Sequence, residues 1–179
     1  MKNKSLVSKI KALTIAVLFF GTLFGIFSKT TKDNTPPPIN QTNEIIYYQV
    51  TKVIDGDTID VNINGKNERI RLIGIDTPET VDHNKPIECF GPEATAQAKE
   101  LLLNKQVRLE ADPTQDDRDT YDRLLRYVYR DDGLFFNEWM IENGYAREFT
   151  FIYPYQHQTE FKQAETEAKN NDLGLWEGC

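Results

Sequence analysis

The stretch from Thr58 to Ile75 constrains the fold more than any other part of the chain. Ile59, Val61 and Ile63 fall on one face of a period-two segment, Asn64-Gly65 supplies the residues of a tight turn, and Glu68 to Ile75 runs back rich in isoleucine and leucine. Such a segment is a β-hairpin, and both ends of it are acidic. Asp55-Gly56-Asp57-Thr58 leads in, Asp76-Thr77-Pro78-Glu79 leads out, and Arg71 sits within the return strand. A hairpin returns its two ends to one edge of a sheet, so these groups share a neighbourhood. Carboxylates beside a guanidinium suit a hard cation held next to a phosphate.

Further strands are predicted over Ile45 to Val53, Gln106 to Ala111 and Leu124 to Tyr129. Helical spacing runs from Gly91-Pro92-Glu93 through Leu103, with proline in the first turn, from Leu134 to Asn143, closed by Gly144, and from about Gln158 to Asn170. About five short strands with interposed helices and no βαβ alternation predict an α+β protein. The expected fold is a five-stranded OB-fold β-barrel with three α-helices.

The domain is expected over residues 45–179. Ahead of it, Lys2, Lys4, Lys9 and Lys11 precede an apolar run from Ala12 to Phe27, the order of an export signal. Residues 1–27 are therefore read as a signal peptide or membrane anchor, and 28–44, with Pro36-Pro37-Pro38, as a disordered linker. The protein is expected to be exported, either secreted or held on the outer face of the cytoplasmic membrane, and to act as a monomer. Residues 45–179 carry 15 Lys and Arg against 26 Asp and Glu. A body this acidic cannot grip a polyanion over a broad surface, so phosphates must be handled by a few arginines and a cation.

With histidine only at 83 and 157, a soft or borderline metal lacks ligands, whereas carboxylates select hard cations. Asp57 and Asp76, with a carbonyl and water, suit calcium. Thr77 is the expected carbonyl donor, because Pro78 biases it to an extended conformation. Each acidic cluster alone also fits an ordinary turn or a solvated loop start; the linkage through a strand arginine weighs toward the cation-site reading. Cys89 and Cys179 are too few for a disulfide framework, and the default expectation is two unpaired thiols, with one intrachain pairing as the alternative. His83 is expected in a solvated loop, and Trp139 and Trp176 at packing positions.

Taken in order, Asp55-Gly56-Asp57-Thr58, Arg71-Leu72, Asp76-Thr77-Pro78-Glu79, Gly91-Pro92-Glu93-Ala94, Asp119-Thr120-Tyr121-Asp122-Arg123 and the closing Ala164-Glu165, Ala168-Lys169 and Gly174-Leu175-Trp176 resemble the staphylococcal nuclease, or thermonuclease, family from about Tyr48 to Trp176. The resemblance implies an OB-fold barrel that cleaves DNA, single- or double-stranded, and RNA with Ca2+ and low sequence specificity, leaving 3′-phosphate and 5′-hydroxyl ends. It places Asp57 and Asp76 as metal carboxylates and Thr77 as the backbone donor. Glu79 matches the glutamate that orients or deprotonates the attacking water. Arg71 and Arg123 match the phosphate-binding arginines, and Tyr121 a tyrosine near the terminal phosphate.

The family's lysine and glycine flanking that tyrosine are Thr120 and Asp122 here, which implies weaker terminal-phosphate affinity. Asp112, Asp116, Asp117 and Asp119 crowd the loop before Arg123, where they would repel substrate or bind additional cation. The aromatic run Tyr145, Phe149, Phe151, Tyr153 and Tyr155 fits either base stacking or packing between the last two helices. A non-catalytic OB-fold module that binds nucleic acid or protein, and a metal-dependent phosphatase or phosphodiesterase for small nucleotides, are the rival readings.

Overall fold

The computed structural model describes residues 45–80 and 86–179; the leader, the linker and His83 lie outside the described residues. Its first three strands, β1 (Tyr48–Val53), β2 (Thr58–Ile63) and β3 (Lys66–Leu72), form an antiparallel meander. Asn64 and Gly65 both take positive φ between β2 and β3, as a two-residue hairpin turn needs. A short strand β4 (Ile75–Asp76) follows, then helix α1 (Gly91–Leu102), β5 (Gln106–Glu110) and β6 (Leu124–Arg130). The barrel closes in the order β1-β2-β3-β6-β5, with β3 and β6 parallel and β5 paired back onto β1. This is the expected five-stranded OB-type barrel. Its interior is filled by Val50, Ile59, Val61, Ile70, Leu72, Val107 and Val128, all buried.

Helix α2 (Phe136–Glu142) packs on β6 and, with β7 (Arg147–Glu148), leads to α3 (Gln158–Asn170) and a one-turn α4 (Leu175–Gly178). The fully buried Asn137 fastens α2 to the barrel: its Oδ1 accepts from Val128 N at 2.9 Å and its Nδ2 donates to Ile73 O at 2.9 Å. Phe161, Ala164 and Ala168 form the buried face of α3.

The expected continuous strand to Ile75 is corrected. It stops at Leu72 and resumes as β4 in a separate two-stranded ladder with β7. Gly74 makes the break, because it has φ 80° and a Cβ there would lie 2.7 Å from the Tyr155 ring. The expectation of unpaired thiols is also corrected: Cys89 and Cys179 form a disulfide with Cα atoms 5.8 Å apart. The three expected helices are present, and α4 is a fourth. No helix among the described residues is long and apolar enough to cross a membrane.

Candidate active site

The turn before β2 and the strand after β3 meet at one end of the barrel. Gly56 permits this, because a Cβ there would come within 2.6 Å of Thr77 Cγ2. Asp57, only 6 % exposed, ties the two segments together. Its Oδ1 accepts from Thr58 Oγ1 at 2.9 Å, and its Oδ2 from Thr77 N at 2.9 Å and Thr77 Oγ1 at 3.2 Å.

Arg71 spans the cluster. Its Nη1 donates to Leu72 O at 2.8 Å and Ile75 O at 2.6 Å, while Nη2 lies 3.1 Å from Asp76 Oδ1 and 3.3 Å from Asp57 Oδ2. The anion expected to face this strand arginine is thus the carboxylate pair itself. A fork fixed at both terminal nitrogens keeps one orientation.

Like charges crowd this corner. Burial, and then the charge of Asp57, push the Asp55 carboxyl up to about 7, with the hydrogen bond from Asp57 N and the Arg71 charge acting against them. Burial and then Asp57 also raise Asp76, opposed by Arg71 and Arg147. Carboxylates whose protons are retained by burial and, secondarily, by a neighbouring negative charge are a donor set that a divalent cation would relieve. Among the described residues no three His, Cys, Asp or Glu side chains converge as a complete metal-binding group. The oxygens at this corner that could enter a coordination sphere are those of Asp57, Asp76 and the Thr77 carbonyl.

A cavity of about 590 Å³ opens beside this corner, and Arg71, Asp76, Tyr121 and Arg123 all line it. Arg123 approaches from the loop before β6. Its Nε meets Asp119 Oδ2 at 2.6 Å, and its backbone N and that of Tyr121 donate to Asp119 Oδ1 at 3.0 and 2.9 Å. One carboxylate thereby shapes the loop and holds the Nε edge of Arg123. The Tyr121 ring, 80 % exposed, lies 5.4 Å from the Arg123 guanidinium. Asp122 takes φ 63°, the left-handed conformation that a glycine adopts freely and an aspartate tolerates.

Glu79 stands apart from the cavity lining, at the start of the segment leading to α1. Its Oε1 accepts from Thr80 N at 2.8 Å, its N donates to Glu88 Oε2 at 3.2 Å, and its O accepts from Glu88 N at 3.0 Å. The structure thus gathers Asp57, Arg71, Asp76 and Thr77 into one bonded cluster. It brings Arg123 and Tyr121 to the same cavity and leaves Glu79 on the irregular segment that follows β4.

The acidic loop is not a cation cluster. Asp112 is buried under four hydrogen bonds, Asp117 pairs with Arg126 and Asp119 with Arg123, while Asp116 lines the cavity. The aromatic run divides between its two readings: Phe149, Phe151 and Tyr153 are exposed and line the cavity, whereas Tyr155 borders the same cavity but is buried in the core. Sequence reading missed Asp119 as the partner of Arg123, although the i,i+4 spacing was visible. It also missed Glu88, for which nothing in the sequence offered a signal.

Comparison with known proteins agrees with this architecture. The profile of the family described as staphylococcal nuclease homologue matches residues 69–178. The chain belongs to the staphylococcal nuclease family. It is 41 % identical over 129 residues to a thermonuclease of Staphylococcus hyicus, covering 72 % of this chain and 75 % of that one. A thermonuclease of Staphylococcus intermedius is 41 % identical over 130 residues, covering 73 % and 76 %. Endonuclease YncB of Bacillus subtilis is 38 % identical over 149 residues, covering 81 % and 68 %. The matched region takes in the return strand with Arg71, the Asp76–Glu79 segment and the Asp119–Arg123 loop.

Proposed function

We propose that this member of the staphylococcal nuclease family is an exported, calcium-dependent endonuclease that hydrolyses DNA and RNA with low sequence specificity and leaves 3′-phosphate ends. Hydrolysis of phosphodiester bonds is the activity carried by its thermonuclease and endonuclease relatives. The observation that carries the reading is the single cavity shared by Arg71, which is bonded to Asp57 and Asp76, and by Arg123.

Asp57, Asp76 and the Thr77 carbonyl would hold the ion, which when bound supplies positive charge against the phosphoryl oxygens. In the proposed chemistry a water oxygen bonds to phosphorus while the bond to the 5′ oxygen breaks. Glu79, on the segment beside the cavity, orients the water and takes its proton, which returns to solvent, and the departing 5′ oxygen takes a proton from solvent water to become a hydroxyl. Arg71 and Arg123 neutralise the charge gathered on the equatorial oxygens, and each guanidinium stays charged throughout. Tyr121 borders the site where a terminal phosphate would lie. The exposed faces of Phe149, Phe151 and Tyr153 offer stacking surface of a kind that tolerates every base, which supports low sequence specificity.

Export is supported by the order of charges and apolar residues in the leader and by the disulfide, since such bonds persist in oxidising compartments. The reading is tested by following cleavage of single-stranded DNA with calcium and with chelator. Activity in calcium alone is expected, and equal activity in both would remove the ion from the mechanism.

A further inference from the structure

Eight arginines fall in the described chain, and seven pair with a carboxylate: Arg69, Arg71, Arg108, Arg118, Arg123, Arg126 and Arg130. Arg147 alone forms no close ion pair among the described residues, although its charge still reaches Asp76. Its position makes that exception informative. In the β4–β7 ladder Arg147 is the register partner of Asp76, and Ile75 that of Glu148. Directly opposed residues of an antiparallel pair project to the same face. Ile75 is fully buried, and Glu148 is bonded inward to Thr150 and Tyr155, so Asp76 and Arg147 share the outer face.

Asp76 nevertheless gives its Oδ1 to Arg71 rather than to Arg147. The Arg147 guanidinium instead lies 5.5 Å from the Trp176 ring centroid, with Lys169 Nζ 4.4 Å from the same ring. A guanidinium laid over an indole is attracted through its flat face, and its N–H edges remain available to an anion. In a domain with 26 acidic against 15 basic side chains, an arginine next to the catalytic corner whose N–H edges are held by no carboxylate is a specific attraction for negative charge.

We propose that Arg147, seated on Trp176, is a binding site for a phosphate of the polynucleotide adjacent to the scissile one. This rests on the nuclease reading for the identity of the polymer. Asp76 lines the cavity that holds Arg71 and Arg123, whereas Arg147 does not. Arg147 therefore stands outside that cavity, beyond Asp76, and the phosphate it takes is not the one under attack. The consequence is a preference for polymer over dinucleotide that owes nothing to base identity.

The test is a fluorescence anisotropy titration of a labelled single-stranded thymidine oligonucleotide in chelator, repeated across a salt series, with wild type, Arg147→Gln and Arg147→Lys. Arg147→Gln should weaken binding severalfold at low salt and make the dependence of log Kd on log salt shallower by about 0.7, the contribution of one phosphate contact on a single strand. Arg147→Lys, which keeps the charge, should retain the wild-type slope, and the affinity for a dinucleotide monophosphate should not change in either variant. A wild-type slope in Arg147→Gln would overturn the proposal. So would an equal loss of dinucleotide affinity, which would mean that Arg147 acts through the scissile-phosphate site. Binding is read without turnover, so a protein that binds in this manner but cleaves nothing would refute the nuclease reading and leave the Arg147 site standing.

Discussion

At the scale of single residues, Arg71 and Arg123, two of the three arginines that border the cavity, are held in different ways and should fail differently. Arg71 is only 13 % exposed and is bonded to two carbonyls and two carboxylates, whereas Arg123 is bonded through one edge to Asp119. Either Arg71→Ala or Arg123→Ala should lower turnover by about 10²–10³, the scale of one lost oxyanion donor. Only Arg71→Ala should also unfold more easily, by about 3–5 kcal/mol, because it strands buried Asp57 without its countercharge. Denaturant unfolding run beside kinetics separates the two, and equal stability of both variants would contradict the buried bridge.

Asp119 gives a finer test. Burial raises its pKa, but the amide and guanidinium of Arg123 and the amide of Tyr121 outweigh burial and hold it below the usual carboxylate range. Asp119→Asn keeps an acceptor for the two amides and loses the charge beside Arg123. Its kcat/KM should fall about tenfold, equivalent to about 1.4 kcal/mol, and by less than in Arg123→Ala. Unchanged kinetics would show that Arg123 needs no such partner.

At the scale of elements, Asp112 joins three segments that local propensity would leave separate. Its Oδ1 accepts from Thr114 N and Oγ1 at 2.8 and 2.7 Å, and its Oδ2 from Tyr127 OH at 2.5 Å and Gln156 N at 2.8 Å. The loop carrying Asp119, strand β6 and the entry to α3 all hang on one side chain. Burial pushes the Asp112 pKa up, yet the Gln156, Tyr127 and Thr114 hydrogen bonds bring it net below its ordinary 3.8. A carboxylate lowered on folding stabilises the protein above its unfolded pKa, and that stability drains away as pH falls through the folded value. Asp112→Asn should therefore be less stable by about 2–3 kcal/mol at neutral pH, and the difference should shrink below about pH 4. Thermal melts of both proteins across that range decide it; a gap that is constant with pH would mean that the charge is irrelevant.

The same elements show what the sequence discloses. Strand β2 begins and ends where strict alternation and Asn64-Gly65 place it, and α3 where its 3.6-residue period places it. Strands β4 and β7, of two residues each, have no period to read and exist only because tertiary packing brings Asp76 against Arg147. Strand β1 starts at Tyr48, where its pairing with Val107 begins, and Ile45, Ile46 and Tyr47 stay exposed despite their strand-like alternation. In the site, Asp57, Arg71 and Asp76 were legible because they flank one hairpin. Asp119, Glu88 and Arg147 act through partners fixed by the fold, so residue type alone did not distinguish them from ordinary surface charges.

At the scale of the whole molecule, the disulfide spans a sequence separation of 90 residues and joins the turn before α1 to the end of α4. It encloses β5, β6, α2 and α3, so nearly all of the helical layer lies within the closed loop. By chain entropy, cross-linking a loop of that length removes about 4–5 kcal/mol of freedom from the unfolded ensemble. Both half-cystines are exposed at the surface, so a dithiol reductant can reach the bond without prior unfolding. Reduced protein and the Cys89→Ser/Cys179→Ser variant should therefore be less stable by up to about 4–5 kcal/mol and should agree with each other. The barrel, whose β1–β3 meander lies outside the loop, should still fold cooperatively in both. Denaturant melts with and without reductant measure this directly. A midpoint that does not move would mean that the native state holds these ends together without the covalent link, through the Leu175 N to Gly144 O bond and the buried Leu175 side chain.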